Sequence, residues 1–239
     1  MSMPTQPGTS LKAISTALSA PRLGPYLTLS GGSVQSAVRL YQWNVKLSGA
    51  VYETLHVVEV AFRNAIDQRL CQWNAAQINR RTGQLHSSEW VLDPSHLLQR
   101  LLASDLNAAR RRARVAVKAG EPGGRSVTHD DVVAQLTFGT WRYLLPGTDP
   151  GRQLLWNKSL CQAFPYLALP PQDLVSKIDG IYRLRNRVAH LEPVLRGDLV
   201  RDQYNNMRDV LEAIDPALKD WFISNQRVTR TLRTRPPTP

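Results

Sequence analysis

Cysteine is nearly missing from this chain. Cys71 and Cys161 are the two among 239 residues, far apart and without a CxxC partner. That excludes a disulfide framework and fits a reducing compartment. Gly-rich GxGxxG and GxxxxGK[ST] runs are missing as well, which disfavours a nucleotide-dependent enzyme. The five histidines show neither HxxxH spacing nor a Cys/His cluster, so the sequence offers no metal site, and no cofactor is expected. No apolar run approaches the roughly 18 residues of a membrane span. The opening MSMPTQPGTS has neither the basic start nor the apolar core of a signal peptide. A cytoplasmic protein with no membrane partner is the expectation.

Acid is the other scarcity. Nineteen Asp and Glu face thirty Lys and Arg, for a formal charge of +11 and a pI near 10.2. Such an excess favours a polyanionic partner, nucleic acid before an anionic membrane surface. Arginine supplies 24 of the thirty cations, and its planar fork of donors suits phosphate.

Alternating strand patterns and internal repeats do not occur, and what remains reads as helix. SLKAISTALSA is a short amphipathic candidate stopped by Pro21. Ser33 caps a proline-free run to about Trp73, one long helix or two meeting near Gly49. Asp93-Pro94 predicts an N-cap and first helical position for a helix to about Lys118. Thr128, Asp130 and Asp131 start DDVVAQLTFGTWRYLL, read as one helix, and GRQLLWNKSLCQAF makes another. Pro170-Pro171 opens a helix closed by Pro193, and a last one runs from Gly197 to Asn225 with a bend near Pro216. The expected fold is all-α, a helical bundle of about six to eight helices. Residues 1–32 would be a poorly structured segment with one short helix, 33–225 a single domain, and 226–239 a disordered basic tail.

The helix after Pro171 carries an anomaly. At about 100° per residue, Leu174, Ile178, Ile181, Leu184 and Val188 share one apolar stripe, and Arg185 falls in its middle. Arg183 and Arg187 fall outside it. An unpaired buried guanidinium costs several kcal/mol, about enough to demand an anion. That anion is a carboxylate of the fold or a phosphate of a ligand, unless the arginine stem reaches solvent. Asn186 precedes His190 by one turn and is placed to hold its imidazole. A histidine at a helix C-terminus with an arginine nearby supplies a proton carrier and a cation, both of which RNA cleavage uses. Arg185 and His190 project about 140° apart on an ideal wheel, so a distorted helix end or a second subunit would have to bring them together.

An earlier helix has a similar irregularity. Glu59 lies within the stripe of Leu55, Val58, Phe62 and Ile66, with Arg63 at its border, spaced for an i,i+4 ion pair. Glu59 alternatively answers Arg185 from across the core. The dense run Arg110, Arg111, Arg112, Arg114 and Lys118 cannot share one face, so it is either solvated surface or a set of phosphate contacts without base specificity. Arg187 is a further candidate for RNA-backbone binding. Trp141 and Tyr143 read as core or interface aromatics before base-stacking ones.

RNRVAH, Arg185 to His190, resembles the R-x4–6-H motif of HEPN-domain ribonucleases, in which a polar residue follows the arginine. The order RLYQWNVKLSGAVYETLHVVEVAFRNAI, LTFGTWRYLL, LRNRVAHLEPV is similar to the Abi-like branch of abortive-infection proteins, over roughly residues 35 to 215. Arg81 and His86 repeat the spacing in a polar loop that contains Gly83, without the helical context. Leu191 stands where the family often has a second histidine. The resemblance implies a bundle of the HEPN type and a metal-independent endoribonuclease, acting in phage defence or as a toxin restrained by an antitoxin or other regulatory protein. It implies a homodimer with a composite active site, and RNA ends left as 2′,3′-cyclic phosphate and 5′-hydroxyl. In that scheme His190 is the general acid or base, Arg185 stabilises phosphoryl charge and Asn186 orients the scissile group, while Glu59, Arg63 and Asn64 shape the cleft. The alternatives are a non-catalytic basic helical module that binds RNA or a protein, and a helix face that only mediates dimerisation.

Overall fold

The computed structural model describes residues 9–120 and 125–238. The loose start at 1–8 and the EPGG punctuation at 121–124 lie outside the described residues. In order the helices are α1 (Thr9–Leu18), α2 (Ala20–Leu29), α3 (Val34–Ala75), α4 (His96–Gly120), α5 (His129–Val133), α6 (Phe138–Tyr143), α7 (Pro150–Lys158), α8 (Pro171–Ala189), α9 (Gly197–Ile214), α10 (Pro216–Asn225) and α11 (Val228–Arg233). A 3₁₀ turn, Leu160–Ala163, follows α7. Among the described residues the β pairing is confined to one isolated bridge, Ile78 with Leu85. The fold is all-α, a helical bundle.

Local chemistry accounts for the boundaries. Gly31 and Gly32, at φ of 57° and 82°, supply the left-handed turn before α3. Ser33 caps α3 through its Oγ to the amide of Ser36. Gly49 does not break α3, which runs 42 residues without interruption. Thr128 and Asp131 close a capping box on α5, and Arg125 grips the Asp131 carboxylate. That grip, with the Thr128 hydrogen bonds, holds the Asp131 carboxyl well below the usual range.

Several expectations need correction. Pro21 opens α2 instead of ending α1's stretch, because proline is tolerated in a first helical turn. Asp93 does not cap α4. It is engaged by His86 Nδ1 and the Ser87 amide, each at 2.9 Å, and the helix starts two residues beyond Pro94. The helix from Asp130 to Leu145 divides, because Thr137 caps a separate α6 through the Thr140 amide. α8 ends at Ala189, four residues before Pro193. Pro216 separates α9 from α10 outright. Within the basic tail, Val228–Arg233 form α11, with Val228 buried.

The chain divides into two compact units. Residues 1–56, 183–205 and 224–239 belong to the first, and 57–182 and 206–223 to the second. No composition shift marks the division, because it falls inside α3, α8, α9 and α10. In the first unit Leu40, Leu47, Val51 and Leu55 of α3 are buried with Leu23 and Tyr26 of α2, Leu184, Val188 and Val200. Tyr26 meets Tyr41 edge-on, ring centroids 5.3 Å apart. Trp43 donates from Nε1 to the Thr231 carbonyl at 2.8 Å, and the Arg235 guanidinium lies over its ring. Arg227 takes the Glu53 carboxylate in a two-pronged grip.

The second unit buries Val58, Phe62, Ile66 and Leu70 of α3 with Leu98, Leu102 and Leu106 of α4 and Leu174, Ile178 and Ile181 of α8. Each such side chain contributes about 1.5–3 kcal/mol on leaving water. At the end of α3 the fully buried Asn74 binds three backbone groups. Nδ2 donates to the carbonyls of Ser87 and Asp93, and Oδ1 accepts from the Ser95 amide, all within 2.7–2.8 Å. One side chain thus closes the whole polar loop before α4. Truncating it leaves buried polar groups unpaired, so Asn74→Ala should cost about 2–4 kcal/mol in urea unfolding. Arg81→Ala, in the same loop but exposed, should change stability by less than about 0.5 kcal/mol.

Candidate functional site

α8 was expected to bury one stripe, and it does: Leu174, Ile178, Ile181, Leu184 and Val188 are all 6% exposed or less. Arg185, on that stripe, is half-buried, as is Asn186, while Arg183, Arg187 and His190 are exposed. Arg185, Asn186 and His190 all lie in the first unit, on the last turn of the helix and its cap.

The helix end is closed by a defined motif. The amides of Leu191 and Glu192 bind the carbonyls of Val188 and Arg187 at 3.0 and 2.8 Å, with Leu191 at a φ of 57°. This is a Schellman termination, with leucine at the left-handed position that glycine usually takes. His190 is the last residue before the reversal. Its amide still reaches the Asn186 carbonyl at 2.9 Å, which is the bond the structure shows between these two residues.

Three side chains then hold the chain as it leaves. Arg22 of α2 donates from Nη1 to the Leu191 carbonyl. Arg187 donates to the Pro193 carbonyl at 3.2 Å and lies 3.6 Å from the Glu192 carboxylate. Asn44 of α3, itself buried, accepts the Val194 amide at 2.7 Å. The backbone on both sides of His190 is therefore fixed, while the imidazole projects into solvent.

Beside this end lies a pocket of about 410 Å³, walled by Tyr26, Tyr41, Tyr52, Arg22, Val188 and Leu191 among others. Ala189 and Leu191, the residues on either side of His190, both line it. Burial, with Tyr41 adding to it, pushes the Tyr26 phenol up to about 12; Tyr26 is thus a neutral wall. Tyr52 is largely exposed and Tyr41 partly so. Sequence reasoning missed Arg22, Asn44 and the tyrosines as site residues, although RLYQWNVKL carried two of them in plain view.

The remaining candidates divide. Glu59, Arg63 and Asn64 belong to the second unit, where Arg63 Nε donates to Asn64 Oδ1 at 3.2 Å. Arg110 is partly buried and donates to the carbonyls of Val91 and Leu92, and burial pulls its guanidinium below its ordinary value. Arg112 donates to the Gln135 carbonyl at 2.7 Å. Both thus brace α4 against its neighbours, whereas Arg111, Arg114 and Lys118 are exposed along it. Trp141 is core, edge-on to Trp90. Arg81 and His86 form no comparable site: His86 braces the loop through Asp93.

The fold also assembles something the histidine spacing did not show. Asp67 and Cys71, one turn apart on α3, meet His129 at the start of α5. The clue in the sequence was only an Asp-x3-Cys on a helix, which no motif rule singles out. Burial lowers the His129 pKa, but the hydrogen bonds to Asp67 and Cys71 outweigh it and raise it to about 10.

The left-handed conformation of Leu191 costs about 1–2 kcal/mol that glycine would not incur. Leu191 is 71% exposed, so little packing offsets it. Leu191→Gly should raise stability by about 0.5–1 kcal/mol, seen as an increase in Tm. Comparison with known proteins gives one result: the family model described as Abi-like protein matches residues 22–196. No curated protein and no solved structure matches the chain.

Proposed function

The chain belongs to the Abi-like protein family, and from that premise we propose that it is an endoribonuclease of the HEPN type used in abortive infection. The observation that carries the reading is His190 itself, exposed on a helix end whose backbone is clamped by Arg22, Arg187 and Asn44. A rigid frame around an accessible imidazole is what positioned proton transfer needs. Arg185 and Asn186 lie on the same turn.

In the proposed reaction the ribose 2′-oxygen forms a bond to the adjacent phosphorus as the bond from phosphorus to the 5′-oxygen breaks. His190 of one copy accepts the 2′-hydroxyl proton, and an acid, His190 of a second copy, protonates the departing 5′-oxygen. Arg185 meets the charge that builds on the phosphoryl oxygens, and Asn186 orients them. The tyrosine-walled pocket beside His190 takes a neighbouring base by stacking. The products are a 2′,3′-cyclic phosphate and a 5′-hydroxyl, and the chemistry uses no metal. The composite site makes the active species a homodimer, and a regulatory or antitoxin partner would hold it in check.

A second reading rests on the net charge of +11 and the exposed Arg111, Arg114 and Lys118: a basic helical module that binds RNA without cutting it. The two part in one assay. A mixed RNA substrate is incubated in EDTA with wild type and with His190→Ala, and the new ends are analysed. The ribonuclease should leave cyclic-phosphate ends and lose about 10²–10⁴-fold in rate in the variant. RNA bound and left intact by the wild type would transfer the case to the binding module. Equal cleavage by both proteins would remove His190 from the mechanism.

A further inference from the structure

Asp67, Cys71 and His129 lie in the second unit and play no part in the site around His190. Their side-chain ligand atoms all lie within 4.8 Å of one another. His129 Nε2 is 3.1 and 3.4 Å from the two Asp67 oxygens and 3.8 Å from Cys71 Sγ. The other ring nitrogen, Nδ1, is buried and makes no hydrogen bond. All of the imidazole's polar interactions therefore pass through one atom, which faces a carboxylate and a thiol at once.

Hydrogen bonding makes poor use of that arrangement, because Nε2 carries at most one proton to share between two acceptors. A cation at the centre uses it fully, since the oxygen, nitrogen and sulfur all present lone pairs to a common point. Zinc bonds to nitrogen and carboxylate oxygen are about 2.0–2.2 Å and to sulfur about 2.3 Å, which in a tetrahedron sets ligands roughly 3.3–3.6 Å apart. The observed separations from Nε2 bracket that range.

The supports around the trio are those of a held site. Asp67 and Cys71 sit four residues apart on a long rigid helix. Trp90, fully buried, donates from Nε1 to Asp67 Oδ1 at 2.7 Å and fixes the carboxylate. The capping box of Thr128 and Asp131 fixes the backbone from which His129 projects. The side chains of His129 and Asp67 are only 11% and 19% exposed, which suits an ion and shuts out a larger substrate.

We propose that Asp67, Cys71 and His129 bind one zinc ion, which ties α5 to α3. The mixed oxygen, nitrogen and thiolate set is a borderline-soft one that selects zinc over magnesium or calcium. Water fills the fourth position. On binding, the thiol proton and the proton on Nε2 leave to solvent as the two metal bonds form. The trio lies in the second unit, and the ion takes no part in the cleavage step proposed at His190.

Cobalt(II) reports the site directly. The purified chain, stripped with a chelator and returned to buffer, is titrated with Co²⁺ and then with Zn²⁺. One equivalent of Co²⁺ should produce a thiolate-to-cobalt charge-transfer band and tetrahedral visible bands, which Zn²⁺ then bleaches. Cys71→Ser should abolish the charge-transfer band, and Cys161→Ser should keep it. Zinc should raise the Tm of wild type and Cys161→Ser, but not of Cys71→Ser. No band in the wild type, or a band lost with Cys161 and kept without Cys71, overturns the site. Neither readout involves RNA, so its failure leaves the ribonuclease reading standing, and the converse holds.

Discussion

One rigid helix, α3, runs uninterrupted for 42 residues and supplies buried apolar residues to each unit in turn. Leu40, Leu47, Val51 and Leu55 serve the core of the first unit, and Val58, Phe62, Ile66 and Leu70 serve the second. The same helix presents Asn44 to the chain leaving α8, Trp43 to α11, Asp67 and Cys71 to α5, and Asn74 to the loop before α4. Each polar contact sits on or beside the apolar stripe, where distance from water gives it value. A register error in α3 would misplace all of them together.

Where the structure was legible from sequence, the signal was local. The Ser33 cap, the helix start at Thr128 and the opening of α8 at Pro171 are all written within a few residues of where they act. The α8 stripe, with Arg185 inside it, was also readable, because 3.6-residue periodicity needs no knowledge of what packs opposite. The failures were of the opposite kind. Asp93 has ordinary capping chemistry, but His86 and Ser87 engage it first. The stretch after Gln226 has the composition of a disordered tail, yet Val228–Arg233 form a helix held by partners as distant as Trp43 and Glu53.

The candidate site divides along the same line. His190, Asn186 and Arg185 were visible as one short motif on one helix. Arg22 and Asn44, which hold the frame around that motif, act at sequence separations of 169 and 150. The same is true of His129, which reaches Asp67 from 62 positions away. Arginine-rich runs misled in a physical sense: guanidinium groups also serve as clips for backbone carbonyls, and Arg110 and Arg112 are used that way.

The first unit is assembled from three separate stretches of chain, 1–56, 183–205 and 224–239. Contacts such as Asn44 with Val194 and Trp43 with Thr231 close very long loops, and loop-closure entropy must be met before they return any stability. On a ribosome, the segment that carries His190 emerges before the α11 residues that complete the same unit. Translation therefore orders the events: the second unit's central stretch, 57–182, is out and able to compact before the first unit receives its last stretch, 224–239. A nascent chain halted before α11 holds every residue of the frame around His190 but lacks the contact that covers Trp43, so the unit that carries the site is left unfinished around it.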